Sequence, residues 1–249
     1  VMGTVNILEA AGRCGDTVGS VLNVTTDKVY SVKEKESYTE DDPLDGFDPY
    51  SNSKSCSELI TACYRRSCSA LRYAGISTAR AGNVIGGGDF ADNRIIPDCI
   101  RAALRHEKIK VRNPLSERPY QYVLDALYAY LVIAAEQYQD KSKSGCYNVG
   151  SVKRQSIPTG ELVDLFCREW GGIGRVDAPE PEALAETDIL RLDCSLLRRV
   201  FGEIPETPIE TAVKKICDWT KAWQNGENIF AHNDSEIRDF FETVRGIDL

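Results

Sequence analysis

The chain has 249 residues, 42% of them hydrophobic, with ordinary glycine, proline and charged content. That suits one domain with a sizeable core or two small ones, and it excludes collagen-like, low-complexity and disordered classes. A net charge of −8 argues against a general nucleic-acid or membrane surface, so an anionic ligand must be held by a few placed Arg or Lys.

Read from its first residue, "TVNILEAAGRCG" is the tail of a helix closed by Gly15. Residues 20–25 form a short β-rich run suited to a buried parallel strand. Asp48 and Pro49 supply a cap and first-turn proline for a long helix reaching about Ser69. A strand over 76–82 follows, then a glycine-rich loop, a helix over 95–105 and a short strand over 109–112. Gln121 to Tyr138 reads as a strongly apolar helix, and Cys146 to Gly150 as a strand. Three more helices are predicted, over 158–170, 194–201 and 210–224, before a polar helix near the end. Strands alternating with helices predict a parallel sheet in an α/β fold.

No apolar run approaches the roughly 20 residues that cross a bilayer, and no signal-peptide pattern opens the chain, so a cytoplasmic protein is expected. Nine cysteines lie scattered, an odd count without a C-x-x-C pair. They fit neither a disulfide framework nor a zinc site and read as small buried hydrophobes in a reducing compartment. The two histidines, His106 and His232, sit in polar surroundings, so no metal and no histidine triad is expected.

Two stretches stand where strands end and helices begin. "VTTDKVY" sets Thr26, Asp27 and Lys28 side by side, and "DPYSNSK" places Tyr50 four residues before Lys54. In open α/β sheets, ligands bind beyond the carboxyl ends of the strands, where Thr26–Lys28 fall. Tyr50 and Lys54 share one helix face, roughly 5–6 Å apart at Cβ. An ammonium beside a phenol favours the phenolate, a base able to take the proton of an alcohol during oxidation. The Tyr–Lys spacing alone is frequent by chance and reads by default as a surface pair. Joined to Thr-Thr-Asp-Lys at a strand end just upstream, it becomes specific. Gly86 to Ala91 fits G-x-G-x-x-A on paper, but it opens no helix directly after a strand and reads as a substrate-side loop.

These two stretches, with "RAGNVIGGGDFADNRIIPD", "RNP", "RPYQYV", "YNVG" and "LRLDCS", resemble the extended short-chain dehydrogenase/reductase family, specifically its nucleotide-sugar 4,6-dehydratases. The resemblance runs from residue 1 to the end. It implies the later half of a doubly wound parallel, Rossmann-like sheet plus a smaller α/β substrate-binding domain. Residues 1–82 with 119–146 would form the partial NAD-binding domain, and 83–118 with 147–249 the nucleotide-sugar domain. The family's glycine-rich fingerprint and first strands fall before Val1, so a fragment is expected, inactive alone. Relatives usually carry Thr-Asp-Glu where this chain has Thr26-Asp27-Lys28. Lysine marks the branch that acts on CDP-glucose, whereas epimerases lack the Asp-Lys pair because they eliminate no water.

The resemblance further implies an NAD-dependent hydro-lyase converting CDP-D-glucose to CDP-4-dehydro-6-deoxy-D-glucose. Tyr50 would take the C4 hydroxyl proton as hydride leaves C4. Lys54 would assist Tyr50 and bind the nicotinamide ribose, and Thr26 would hold the C4 oxygen. Asp27 is the candidate acid for the C6 hydroxyl and Lys28 the candidate base at C5. Making any lysine a base near neutrality demands roughly 5 kcal/mol from its surroundings. Asn83, Arg94 and Arg118 match diphosphate positions, Arg112 and Asn113 lie where the base is read, and Asn148 matches another substrate contact. Arg80 and Arg154 read at least as readily as solvated or structural charges as they do as substrate contacts, and Glu186 matches a family glutamate without an assigned role. A homodimer built on the first helix and the Tyr50 helix is expected. The alternatives are another nucleotide-sugar dehydratase or epimerase, or a truncated chain without catalysis.

Overall fold

The computed structural model describes residues 1–33, 36–153, 156–178 and 191–245. In chain order its first elements are α1 (Met2–Arg13), β1 (Ser20–Thr26), α2 (Pro49–Ser67), β2 (Gly75–Ala81), β3 (Asn83–Ile85) and α3 (Ile95–Leu104). Next come β4 (Ile109–Val111), β5 (Glu117–Arg118), β6 (Tyr120–Tyr122), α4 (Val123–Gln139) and β7 (Cys146–Val149). The remainder comprises β8 (Ile157–Pro158), α5 (Thr159–Trp170), β9 (Arg175–Asp177), α6 (Ser195–Phe201), α7 (Ile209–Gln224) and α8 (Ile229–Arg245). The architecture is Rossmann-like α/β, with parallel strands flanked by helices.

The chain divides into two compact units. One comprises Val1–Gly82, Ala126–Gln155 and Arg191–Ile204; the other comprises Asn83–Asp125, Ser156–Leu190 and Pro205–Leu249. This division departs from the sequence expectation at three places. Residues 119–125 join the second unit because β6 pairs in parallel with β3, so Gln121 and Tyr122 are strand rather than helix. Residues 147–149 stay with the first unit because β7 pairs in parallel with β2. Residues 191–204 stay there too, because Leu192 bridges Tyr38 and Phe201 packs edge-on against Tyr147.

In the first unit the sheet runs β1-β2-β7. Strand β2 is buried along its whole length. Leu8 and Ala11 of α1 close over Ile76 and Leu71, the apolar stripe that makes α1 amphipathic. The end of α4 reaches the start of the sheet: Gln137 donates to the Ser20 hydroxyl and the Val21 carbonyl and accepts from Ser77. Gly75 allows this approach, since a Cβ there would stand 2.5 Å from the Gln137 carbonyl oxygen.

Helix α2 rests on the sheet differently. Its buried residues are Ser51, Ser55, Ser57, Glu58 and Thr61, all polar. Asn23 of β1 donates to Ser57 and Thr61 at 2.9 and 2.8 Å, and Ser55 donates to the Val29 carbonyl at 2.8 Å. Apolar contact is non-directional and lets a helix slide, whereas directional hydrogen bonds fix its register.

The second unit is built around a core of Ile96, Ile100, Ile109, Val111, Leu162, Phe166, Val213 and Ile216, from α3, β4, α5 and α7. Its strands form three separate pairs: β3 with β6, β4 with β9, and β5 antiparallel to β8. Cys99 and Cys217 belong to that core. All nine cysteines are free, yet only Cys99, Cys194 and Cys217 are buried; Cys14 and Cys63 are exposed, against the expectation of uniformly buried thiols.

Candidate active site

Strand β1 delivers Thr25 and Thr26 to its carboxyl end, where the chain turns through one 3-10 turn over Asp27–Val29. Thr26 donates to the Asp27 carboxylate at 2.9 Å and accepts from the Lys28 amide at 3.4 Å. Thr26 and Asp27 are buried, and Lys28 is exposed. The turn thus presents a carboxyl group out of solvent beside an amine in contact with it.

Helix α2 begins alongside. Asp48 caps it, accepting from the Ser51 amide at 3.0 Å and the Ser51 hydroxyl at 2.5 Å, with Pro49 in the first turn. Those bonds, and lastly the charge of Lys28, hold the Asp48 carboxyl below its ordinary pKa. Lys28 therefore lies within electrostatic reach of the helix start. Tyr50, 55% exposed, and Lys54 follow on one helix face. The Lys54 ammonium reaches the Val24 carbonyl at 3.5 Å, two residues before Thr26. Two contacts thus tie the 24–29 segment to the first two turns of α2: Lys54 to Val24 and Ser55 to Val29. The five residues expected to carry the chemistry share one unit and one end of the sheet.

A cavity of about 470 Å³ opens at the same helix start, lined by Ser31, Asp45, Phe47, Asp48 and Asn52 among others. Its walls are loop together with the first turn of α2.

The residues expected to bind substrate are distributed differently. Asn83 and Arg118 are drawn close, since the Asn83 amide donates to the carbonyl of Pro119, next to Arg118. Arg118 is buried and donates to the Glu117 carbonyl. Arg94 stands exposed at the start of α3, 3.5 Å from Asp89. Arg112 and Asn113 follow β4 on the surface. These five belong to the second unit. Asn148 lies in the first unit and is fully buried. Its oxygen accepts from Tyr30 at 2.5 Å, and its amide nitrogen donates to the carbonyls of Tyr38 and Asp193. Both ends of its amide are thus bonded within the first unit. Arg154 and Glu186 lie outside the described residues.

Beneath the site runs a buried polar network that the sequence left unread. The Glu58 carboxylate accepts from Arg80 at 2.9 Å, from Thr78 at 2.7 Å and from Thr25. Arg80 donates onward to the Tyr30 hydroxyl and the Glu40 carbonyl, both at 3.0 Å. Burial pushes the Tyr30 phenol and the Glu40 carboxyl up from their ordinary values, against the pull of Arg80. An arginine inside the otherwise small and apolar text "ISTARAG" was the available signal.

The sequence pattern of the NAD dependent epimerase/dehydratase family matches residues 1–150, and the chain belongs to that family. It is 36% identical over 251 residues to CDP-glucose 4,6-dehydratase of Salmonella typhimurium, covering 98% of this chain and 70% of that enzyme. It is 29% identical to dTDP-glucose 4,6-dehydratase of Streptomyces griseus, covering 88% of this chain and 63% of that one. Among solved structures, dTDP-glucose 4,6-dehydratase from Bacillus anthracis in complex with NAD superposes with a TM-score of 0.72 at 22% identity, over 89% of this chain and 67% of that one. UDP-N-acetylglucosamine 4-epimerase from Methanobrevibacter ruminantium gives 0.77 at 18% identity, over 90% and 69%. The chain thus spans roughly two thirds of the length of these proteins.

The residues present fit one end of the family's dinucleotide. A phenol and an ammonium on one helix face, at the carboxyl end of β1, suit the ribose hydroxyls and nicotinamide. The Gly86–Gly88 run does not suit the diphosphate. It packs on Val123 and Trp219, and the next helix starts only at Ile95.

Proposed function

We propose that the protein containing this chain is an NAD-dependent hydro-lyase that converts CDP-D-glucose to CDP-4-dehydro-6-deoxy-D-glucose. The observation that carries this reading is the turn Thr26-Asp27-Lys28, flanked by two contacts, at Val24 and Val29, that hold it against the helix of Tyr50 and Lys54. Exchange of a C4 hydroxyl needs only the tyrosine–lysine pair. Loss of water from C5 and C6 needs a further acid and a further base, and Asp27 and Lys28 supply both types of group at that place.

In this reading Tyr50 removes the C4 hydroxyl proton, assisted by the positive charge of Lys54, and Thr26 orients the C4 oxygen. Bound NAD⁺ supplies the redox chemistry, taking hydride from C4 and returning it to C6, so the reaction is redox-neutral overall. The C4 ketone acidifies C5; Lys28 removes that proton, Asp27 protonates the C6 hydroxyl as it leaves as water, and Lys28 returns a proton to C5 as C6 is reduced. Tyr50 and Lys54 also hold the nicotinamide ribose. The substrate diphosphate falls to Arg94, Arg118 and Asn83, and the base to Arg112 and Asn113; arginine suits the diphosphate through paired donors.

The preference for cytidine follows the 36% identity to the Salmonella enzyme and lysine at position 28. The protein is further proposed to act as a cytoplasmic homodimer through α1 and α2, where Ile7 and Leu59 are 65% and 57% exposed. No described helix is long and apolar enough to cross a membrane.

Assay of the whole reading frame containing these residues with CDP-, dTDP- and GDP-glucose tests the proposal. The expected outcome is a 4-dehydro-6-deoxy sugar, formed at least tenfold faster from CDP-glucose, with solvent deuterium entering at C5. A C4 epimer as the product, or a dTDP preference, overturns it.

A further inference from the structure

We propose that Glu58 is a positioning residue: its carboxylate fixes the register of the helix carrying Tyr50 and Lys54 against the strand end carrying Thr26 and Asp27. This rests on the active-site reading above and names a group that reading does not use. Glu58 lies one turn beyond Lys54 and two beyond Tyr50, on the same side of α2. Lys54 meets β1 at Val24, and Glu58 meets it one residue on, at Thr25, which directly precedes Thr26. The same carboxylate grips β2 through Thr78 and Arg80. One side chain therefore locks a helix to both neighbouring strands at the level of the reactive groups.

Stability alone explains this arrangement poorly. Glu58 and Arg80 are 1% and 2% exposed, and burying two charges consumes most of what their attraction returns. Arg80 Nε, moreover, is buried without a hydrogen-bond partner. What such a network supplies is geometry. Its charged bonds bind two strands through one carboxylate, and so reinforce the register that the hydroxyl contacts of Ser55, Ser57 and Thr61 set against β1 and the turn after it.

The experiment compares Glu58→Gln, Glu58→Asp and Tyr50→Phe in the whole reading frame. Glu58→Gln keeps the shape and removes the charge. Expected are a kcat lower by 10- to 100-fold, a KM for CDP-glucose within threefold of the parent, and amide exchange across residues 50–54 faster by tenfold or more. Glu58→Asp restores at least a third of the lost kcat. A purely structural Glu58 would lower the melting temperature while leaving kcat per folded molecule unchanged, and that result overturns the proposal. Should Glu58→Gln fail to fold, Thr78→Val, which removes one donor to the carboxylate, decides: parental kcat together with parental exchange over residues 50–54 overturns the role. Full turnover by Tyr50→Phe would instead sink the site reading itself, and the role of Glu58 with it. Loss of activity in Tyr50→Phe beside an unaffected Glu58→Gln rejects only the positioning role.

Discussion

The turn that holds Lys28 also holds the buried carboxyl of Asp27. If Lys28 is the C5 base, Lys28→Met lets the C4 ketone form and accumulate while solvent deuterium stays out of C5. Quenched-flow product analysis should then show turnover lower by roughly 10²–10⁴-fold, the span of general-base contributions. Asp125 makes a separate residue-level prediction. Burial pushes its pKa to about 6, against two hydrogen bonds from Thr207 that pull it down. The folded value lies above the unfolded one, so this group favours the folded state below about pH 4, and that contribution is lost as pH rises through 6. It amounts to about 3 kcal/mol at most. Urea unfolding of Asp125→Asn should accordingly show a flatter pH dependence between 4 and 7 than the parent. The sequence pointed to Tyr50, Lys54 and Thr26–Lys28 for the proposed chemistry because their spacing is itself the signal. It could not make the burial of Asn148 or Glu58 legible, since an isolated polar letter does not reveal whether its partners are protein or water.

Among the elements, length decided what could be read. The long helices and β1, β2 and β7 fall within a residue or two of the positions their periodicity predicts, whereas β3, β5, β6, β8 and β9 have two or three residues each and no period to detect. Pairing partners distant in sequence create those strands, as β6 shows by claiming Tyr120–Tyr122 for β3. Helix α2 was legible at its start because Asp48 and Pro49 are strong capping signals. Replacing Asp48 by Ala should lower stability by about 1 kcal/mol in denaturant titration, and kcat with it, since the frayed turn is the one carrying Tyr50. Gly75→Ala is predicted to be harsher, costing about 1–3 kcal/mol, because the clash is with the backbone of α4 and cannot be relieved by a rotamer change.

For the whole molecule, the fold class was legible from alternation alone, while the exact division into units was not, because contacts such as Leu192 with Tyr38 join residues far apart in the chain. The proposed homodimer predicts that Leu59→Asp converts the purified protein to monomer in sedimentation velocity; an unchanged sedimentation coefficient would place the interface elsewhere. In the proposed reading Tyr50 and Lys54 serve only the nicotinamide end of NAD⁺, so the 249 residues by themselves are expected not to bind it at micromolar concentration; calorimetric titration checks this. Strand β1 is paired on one side only among the described residues, and its Val24 side chain is exposed. Its open flank is a row of amides and carbonyls with no stop signal, so these residues alone should undergo lateral growth at high concentration. Light scattering that climbs with concentration, and subsides in Val24→Lys, would be the mark of that growth.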